Sequence, residues 1–169
     1  LAGLSLWMLV SVFLVISARA VIVGRTGWDP DDQLRLVQLR DFLGGQSWFD
    51  STQYRLNAPS GAPMHWSRLI ELPLALVVGL ASPLVGSARA EMLAGTGVPL
   101  ACLGAIAFMA SDIARKFGGR LAGSAALLLV FLAPAVLIQT RPMRIDHHGW
   151  QAVMAMLGLW TLFWANAKK

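Results

Sequence analysis

Gly24-Arg25-Thr26-Gly27-Trp28-Asp29-Pro30-Asp31-Asp32-Gln33-Leu34-Arg35 opens the one long polar passage of an otherwise apolar chain, and that passage runs on to Arg68. It carries Asp29, Asp31, Asp32, Asp41 and Asp50, five of the nine acidic residues. Asp29-Pro30-Asp31-Asp32 reads as a helix start. An aspartate accepts from the free amides of a first turn, proline suits the first helical position, and further carboxylates face the positive end of the helix dipole. Leu34, Leu36, Val37, Leu39, Phe42 and Leu43, interspersed with Gln33, Arg35, Gln38, Arg40 and Asp41, give the mixed faces of a helix lying at an interface. Gly44-Gly45 ends it. From Gln46 to Arg68 turn residues mix with Trp48, Phe49, Tyr54, His65 and Trp66, and Trp and Tyr favour the headgroup level of a bilayer.

Outward from this passage the chain is hydrophobic: of 169 residues, 56% are hydrophobic and only 14% charged. Residues 1–23 are expected to cross a bilayer as one helix, with Arg19 reaching back to the interface. Residues 69–86, interrupted by Glu71, Pro73 and Pro83, are expected to lie at the surface or re-enter within an external loop spanning 24–91. Three more spans are expected at 92–113, 121–139 and 151–167, joined by a cytoplasmic turn at 114–120 and an external motif at 140–150. The fold class is therefore all-α: a single polytopic membrane domain of about four transmembrane helices, with juxtamembrane helices in a large first external loop. The start at Leu1 and the end at Lys169 suggest part of a longer chain.

This arrangement puts both polar regions on one side. Arg115, Lys116, Arg120, Lys168 and Lys169 fall on the other, which the bias of basic residues makes cytoplasmic. If residues 69–86 cross instead, the two polar regions are separated. The net charge of +5 is spread thinly between apolar segments and forms no stripe, which argues against nucleic acid as a partner. Cys102 is the single cysteine, so neither an internal disulfide nor a thiolate metal cage is available.

Asp146-His147-His148 is the sharpest local signal. A carboxylate and an imidazole two positions apart at a helix start can reach one divalent cation, and Asp29, Asp31 or Asp32 are available to complete an open site. The same motif also suits a helix cap flanked by interfacial histidines. Asp29, Asp31 and Asp32 exceed what capping requires, and like charges that close repel unless a cation or donor neutralises them. Arg35, Arg40, Arg55, Arg68, Arg141 and Arg144 lie in or beside these regions. Guanidinium groups match phosphate oxygens, and they equally suit the nearby aspartates or lipid headgroups. His65 and Trp66 fit either an acceptor or sugar surface or an interface anchor. Glu71 and Glu91 read as membrane-edge acids with local partners.

Asp29-Pro30-Asp31-Asp32-Gln33-Leu34-Arg35, then Asn57-Ala58-Pro59-Ser60-Gly61-Ala62-Pro63-Met64-His65-Trp66, resembles the first external loop of GT-C membrane glycosyltransferases, especially the catalytic subunits of oligosaccharyltransferases. Asp146-His147-His148 is similar to the second metal motif of archaeal members, an Asp-x-His. Ala114-Arg115-Lys116-Phe117-Gly118-Gly119 resembles the cytoplasmic turn of related lipid-dependent arabinose and mannose transferases. The resemblance implies an inverting glycosyltransferase using a polyprenyl-linked sugar donor at the periplasmic face of a bacterial cytoplasmic membrane. It implies Mn²⁺ or Mg²⁺ held by Asp29, Asp146 and His148, and a catalytic carboxylate among Asp29, Asp31 and Asp32, the latter two matching the acidic pair of the arabinose and mannose enzymes. Donor phosphate would meet Arg35, Arg55, Arg68, Arg141 and Arg144, and the acceptor would be a protein, lipid or glycan. The further acidic external loop, additional helices and Trp-Trp-Asp motif of family members are not in this sequence. Two other classes remain: a non-enzymatic membrane subunit with a partner-docking loop, and a transporter, for which Asp112 is the main intramembrane acid.

Overall fold

The computed structural model describes residues 2–166, and among them the secondary structure is almost wholly helical. Seven α-helices follow one another: α1 (Ala2–Ser17), α2 (Arg19–Gly24), α3 (Pro30–Leu43), α4 (Glu71–Val85), α5 (Ser87–Leu132), α6 (Pro134–Thr140) and α7 (His148–Asn166). A two-residue ribbon pairs β1 (Thr52–Gln53) antiparallel to β2 (Ala62–Pro63) inside the loop before α4. The helix expected from Asp29-Pro30 forms as α3. Asp29 is its N-cap, Pro30 stands in its first turn and Gly44 is its C-cap.

α5 is two helices. Gly118 and Gly119 leave helical geometry, Gly119 with φ +67° and ψ −158°, a combination essentially confined to glycine. A straight helix would hold residues 111 and 123 about 18 Å apart. Instead Ser111 Oγ donates to the Gly123 carbonyl at 2.9 Å, so the chain reverses at the glycine pair and returns antiparallel to itself. Gly123 is required at this contact, because a Cβ there would sit 2.1 Å from Arg115 Cγ. A second hairpin turns at Gly86, φ +82°. Leu74 and Val78 of α4 pack there with Ala90 and Ala94 of α5, whose small side chains let the two helices approach closely.

Three apolar clusters tie the helices together. Leu36, Leu39, Leu74, Val78, Ala90, Ala94 and Ile145 join α3, α4, the start of α5 and the segment before α7. Leu14, Leu100, Leu103, Ala107 and Phe131 seat α1 against both limbs of α5. Cys102, Ile106, Met109 and Val153 join α5 to α7. Burying a side chain of Leu or Phe size contributes about 1.5–3 kcal/mol, so each cluster outweighs any single polar contact.

The helices differ from the expected spans in several places. Residues 1–23 are not one helix: the first ends at Ser17, and Ala18 (φ −92°, ψ 5°) breaks it from α2. Among the described residues, two helical stretches are long and apolar enough to cross a membrane, Arg68–Val85 and Ser87–Leu132. The first of these is the stretch expected to lie at the surface. Residues 121–139 are divided by Ala133-Pro134 into the second limb of α5 and α6, since proline at the first turn of a helix starts a new one. Lys168 and Lys169 lie outside the described residues. Large apolar side chains face outward along several helices, among them Leu9, Phe13 and Ile16 of α1, Leu76, Leu80 and Leu84 of α4, and Leu121, Leu129 and Leu132 of α5.

Candidate functional site

Asp32 is the joint of the site. Its side chain is fully buried, and both oxygens are occupied. Oδ1 accepts from the Ile145 amide at 3.0 Å and the Asp146 amide at 3.1 Å, while Oδ2 accepts from the Trp28 amide at 3.0 Å and from Arg144 Nη1 at 3.0 Å. An ionised carboxylate offers about four acceptor positions, so none is left for a substrate. Gly27 makes the approach possible, because a Cβ there would fall 2.2 Å from Asp32 Cβ. The two polar regions of the sequence therefore meet directly.

The segment from Arg141 to His147 is held in an unusual shape. Met143 adopts φ +66°, a left-handed conformation that costs a non-glycine residue roughly 1–2 kcal/mol. The Met143 amide donates to the Gly95 carbonyl at 2.6 Å, its side chain is 1% exposed, and Trp28 Nε1 donates to the Pro142 carbonyl at 2.8 Å. These contacts offset the strain and present Arg141, Arg144 and Asp146 to α3.

Asp29, besides capping α3 through the Asp32 amide at 3.1 Å, pairs with Arg144. Burial works to raise the Asp29 carboxyl, but the Arg144 guanidinium and the Asp32 amide outweigh it and hold the group below the ordinary carboxylate range. Arg144 is further oriented by Gln139 Oε1, which accepts from its Nε at 3.1 Å. Asp31 is exposed on the first turn of α3.

Asp146, His147 and His148 offer one ligand atom each, all within 4.8 Å of one another. Asp146 Oδ1 accepts from the His147 amide and ring Nδ1. Asp146 Oδ2 is buried with no hydrogen-bond partner and lies 3.4 Å from His148 Nε2. Gln151 Oε1 meets His148 Nδ1 at 3.1 Å; a proton on Nδ1 leaves Nε2 as the bare nitrogen facing Asp146. An orphaned buried carboxylate oxygen opposite a bare imidazole nitrogen at this separation fits two ligands of one divalent ion, each bound at about 2.1 Å. His147 joins this group, although the spacing argument favoured only Asp146 and His148. Asp29, expected as a third ligand, is not part of the group and is occupied by Arg144.

The arginines separate into different environments. Arg35 and Arg68 are buried on Glu71, whose oxygens accept at 3.0 and 3.1 Å, and Arg68 also donates to the Asp50 carbonyl and to Gln46. Arg55 pairs with Asp41 at 2.7 Å on the surface. Arg141 stacks on the Trp28 ring, 3.4 Å from its centroid. Glu71 and Glu91, read as membrane-edge acids with local partners, are buried and paired: Glu71 with Arg68 three residues away and with Arg35, and Glu91 with Arg40 at 2.7 and 2.8 Å and with Arg25 at 3.2 Å. Asp112 accepts both indole protons of Trp160 and Trp164, at 2.8 and 3.0 Å.

Trp66 links the loop to the Asp146-His147-His148 group. Its ring lies 6.4 Å from that of His147, with Arg35 stacked on it at 4.7 Å. His65, exposed, packs edge-on to Trp66 at 5.9 Å. Sequence reasoning passed over Trp28, Gln139 and Gln151. Trp28 was the one with a signal, an aromatic placed directly before a capping aspartate. No protein-family model, curated protein or solved structure matches the chain.

Proposed function

We propose that this chain belongs to a membrane-embedded, metal-assisted glycosyltransferase, moving a sugar or glycan from a polyprenyl-linked donor to an acceptor. The observation that carries the reading is the junction at Asp32, where the loop-one helix and the Asp-His-His segment become one site. Outward-facing Leu, Ile and Phe along α1, α4 and α5 favour a lipid surround, here taken to be a bacterial inner membrane with the site toward the periplasm. Asp146 and His148, with His147 adjacent, are the residues to hold Mn²⁺ or Mg²⁺, and Asp29 would join them by leaving Arg144. The ion would supply Lewis-acid neutralisation of the phosphate charge that develops on the leaving group.

The chain's own residues do the rest. Asp31, exposed on α3, is the carboxylate free to orient or deprotonate an acceptor, and Asp29 becomes available only by leaving Arg144. Asp32 fixes their helix against residues 144–146. Arg141 and Arg144 stand on that same segment as phosphate ligands. Trp66 and His65 give an aromatic edge for the sugar or acceptor. The test is sugar transfer by the full-length protein from a short-chain polyprenyl-linked donor, with and without Mn²⁺. Metal-dependent transfer abolished in Asp146→Asn supports the proposal, and no transfer under any metal removes it.

One observation favours a second reading, a partner-docking membrane subunit. Glu71, Glu91 and Asp32 are spent on internal ion pairs, as structural charges would be. In that case Asp146→Asn would disturb assembly and leave metal affinity unchanged.

A further inference from the structure

The cleft between α1 and α6 lies beside the junction and shares Trp28 and Arg141 with it. It is an open groove of about 190 Å³, walled by Leu14, Ala18, Leu137 and Ile138, with Trp28 and Arg141 completing the lining. Ser17 also borders it, but its hydroxyl is satisfied within α1 by the Phe13 carbonyl at 2.8 Å. The wall is therefore apolar, apart from a single cation.

That cation is distinctive. Of the five arginines singled out as phosphate ligands, Arg35 and Arg68 are paired with Glu71, Arg55 with Asp41, and Arg144 with Asp29 and Asp32. Among the described residues Arg141 has no ion pair and no side-chain hydrogen bond, only the Trp28 ring beneath it, and its Nε is buried without a partner. A half-buried guanidinium held by a ring face alone, with no carboxylate in contact, carries a desolvation cost that a bound anion would offset further. An anion alone would not use the apolar wall, and a neutral hydrocarbon would not use the arginine.

We infer that the cleft seats the head-proximal hydrocarbon of an isoprenoid phosphate, whose phosphate rests on Arg141. The inference rests on the lipid-donor reading above and selects one arginine and one path for the chain. A two-chain phospholipid fits less well, because a cleft of this size admits part of a single chain. The occupant would enter from the lipid side past Ile138, which is 47% exposed.

The test uses the full-length protein in nanodiscs and farnesyl phosphate as probe, with farnesol, inorganic phosphate and phosphatidylglycerol as comparison ligands. Two variants act on the two halves of the cleft: Arg141→Gln removes the charge, and Ile138→Trp fills the groove from an exposed position without altering any charge. Retained thermal unfolding shows that each is folded. Both are expected to weaken farnesyl phosphate binding by about tenfold or more, the loss of one charge-assisted contact or of its hydrocarbon counterpart. In Ile138→Cys, farnesyl phosphate is expected to slow maleimide labelling while farnesol and inorganic phosphate do not. Binding that both folded variants leave intact overturns the cleft and leaves the transferase reading standing. Equal protection by phosphatidylglycerol also overturns it, making the cleft a bulk-lipid groove. No farnesyl phosphate binding by the parent protein overturns the cleft and the donor reading together.

Discussion

Asp32 and Asp146 are joined across the fold: the carboxylate of the first accepts the backbone amide of the second at 3.1 Å, and the Ile145 amide beside it at 3.0 Å. Two negative residues thus meet through a carboxylate and an amide, not through opposed charges. Asp32→Asn would keep the shape but turn an NH₂ group toward donors and leave Arg144 short of one partner. Breaking a buried, hydrogen-bonded pair in this way costs about 3–5 kcal/mol. The expected result is a large fall in thermal stability for Asp32→Asn, with Asp31→Asn close to the parent, measured by unfolding of purified protein.

Gly27 sets how closely α3 can approach that segment. Alanine there would meet Asp32 Cβ at 2.2 Å and the Gln33 amide nitrogen at 2.9 Å, backbone that cannot step aside. Overpacking of this kind costs about 1–3 kcal/mol. Gly97 in α5 is different: a methyl group added to it would meet nothing within 4 Å, so Gly97→Ala gains helix propensity without a clash. The expected order of midpoint temperatures is therefore Gly97→Ala at or above the parent and Gly27→Ala well below it.

Local chemistry was legible in the sequence wherever a short-range rule governs. Asp29-Pro30 announced the start of α3, Gly44 its end, and Gly118-Gly119 the reversal within α5. The contact of Asp32 with Ile145 was not legible, because it links residues 113 positions apart and depends on Gly27 and on the strained Met143. Asp29, Asp31 and Asp32 look alike as letters, yet one caps and pairs, one is exposed and one is buried; only the packing of α3 separates them. Apolar length also misjudged α1, where Ala18 breaks a run that composition alone reads as continuous.

The Asp29–Arg144 pair should show itself in acid. The folded Asp29 carboxyl sits below the ordinary range, so its contribution is fully present above the unfolded value of about 3.9 and is lost as pH falls through the lower, folded value. The difference in midpoint temperature between the parent and Asp29→Asn is expected to stay constant from pH 5 to pH 8. It should shrink steadily below about pH 4. A difference that grows on acidification would contradict the pairing.

Membrane orientation has a direct expected outcome. With Cys102 replaced, single cysteines at Gln33 and Gln151, both exposed near the site, should react with an impermeant reagent from one side of the membrane. A cysteine at Phe117, 73% exposed beside the Gly118-Gly119 reversal, should react from the other. The Asp32 carboxylate bonded to the Ile145 and Asp146 amides holds the two polar regions together, so Gln33 and Gln151 reacting from opposite sides would be incompatible with that junction.

Asp146, His147 and His148 make the most discriminating prediction. Electron paramagnetic resonance of Mn²⁺ with the purified full-length protein should show binding that is lost in Asp146→Asn and in His148→Ala, because these remove the orphaned Oδ2 and the nitrogen 3.4 Å from it. Gln151→Ala removes only the group that orients His148, and outer partners of this kind are worth about 10–100-fold in affinity, so binding should weaken without vanishing. Asp29→Asn should weaken it less than Asp146→Asn does, since Asp29 starts from a pair with Arg144 and must leave it to reach an ion. Equal loss in Asp29→Asn and Asp146→Asn would make Asp29 a full ligand and the Arg144 pair a resting state. Unchanged binding in Asp146→Asn would instead leave that carboxylate as a helix-start residue and return its buried oxygen to a structural role.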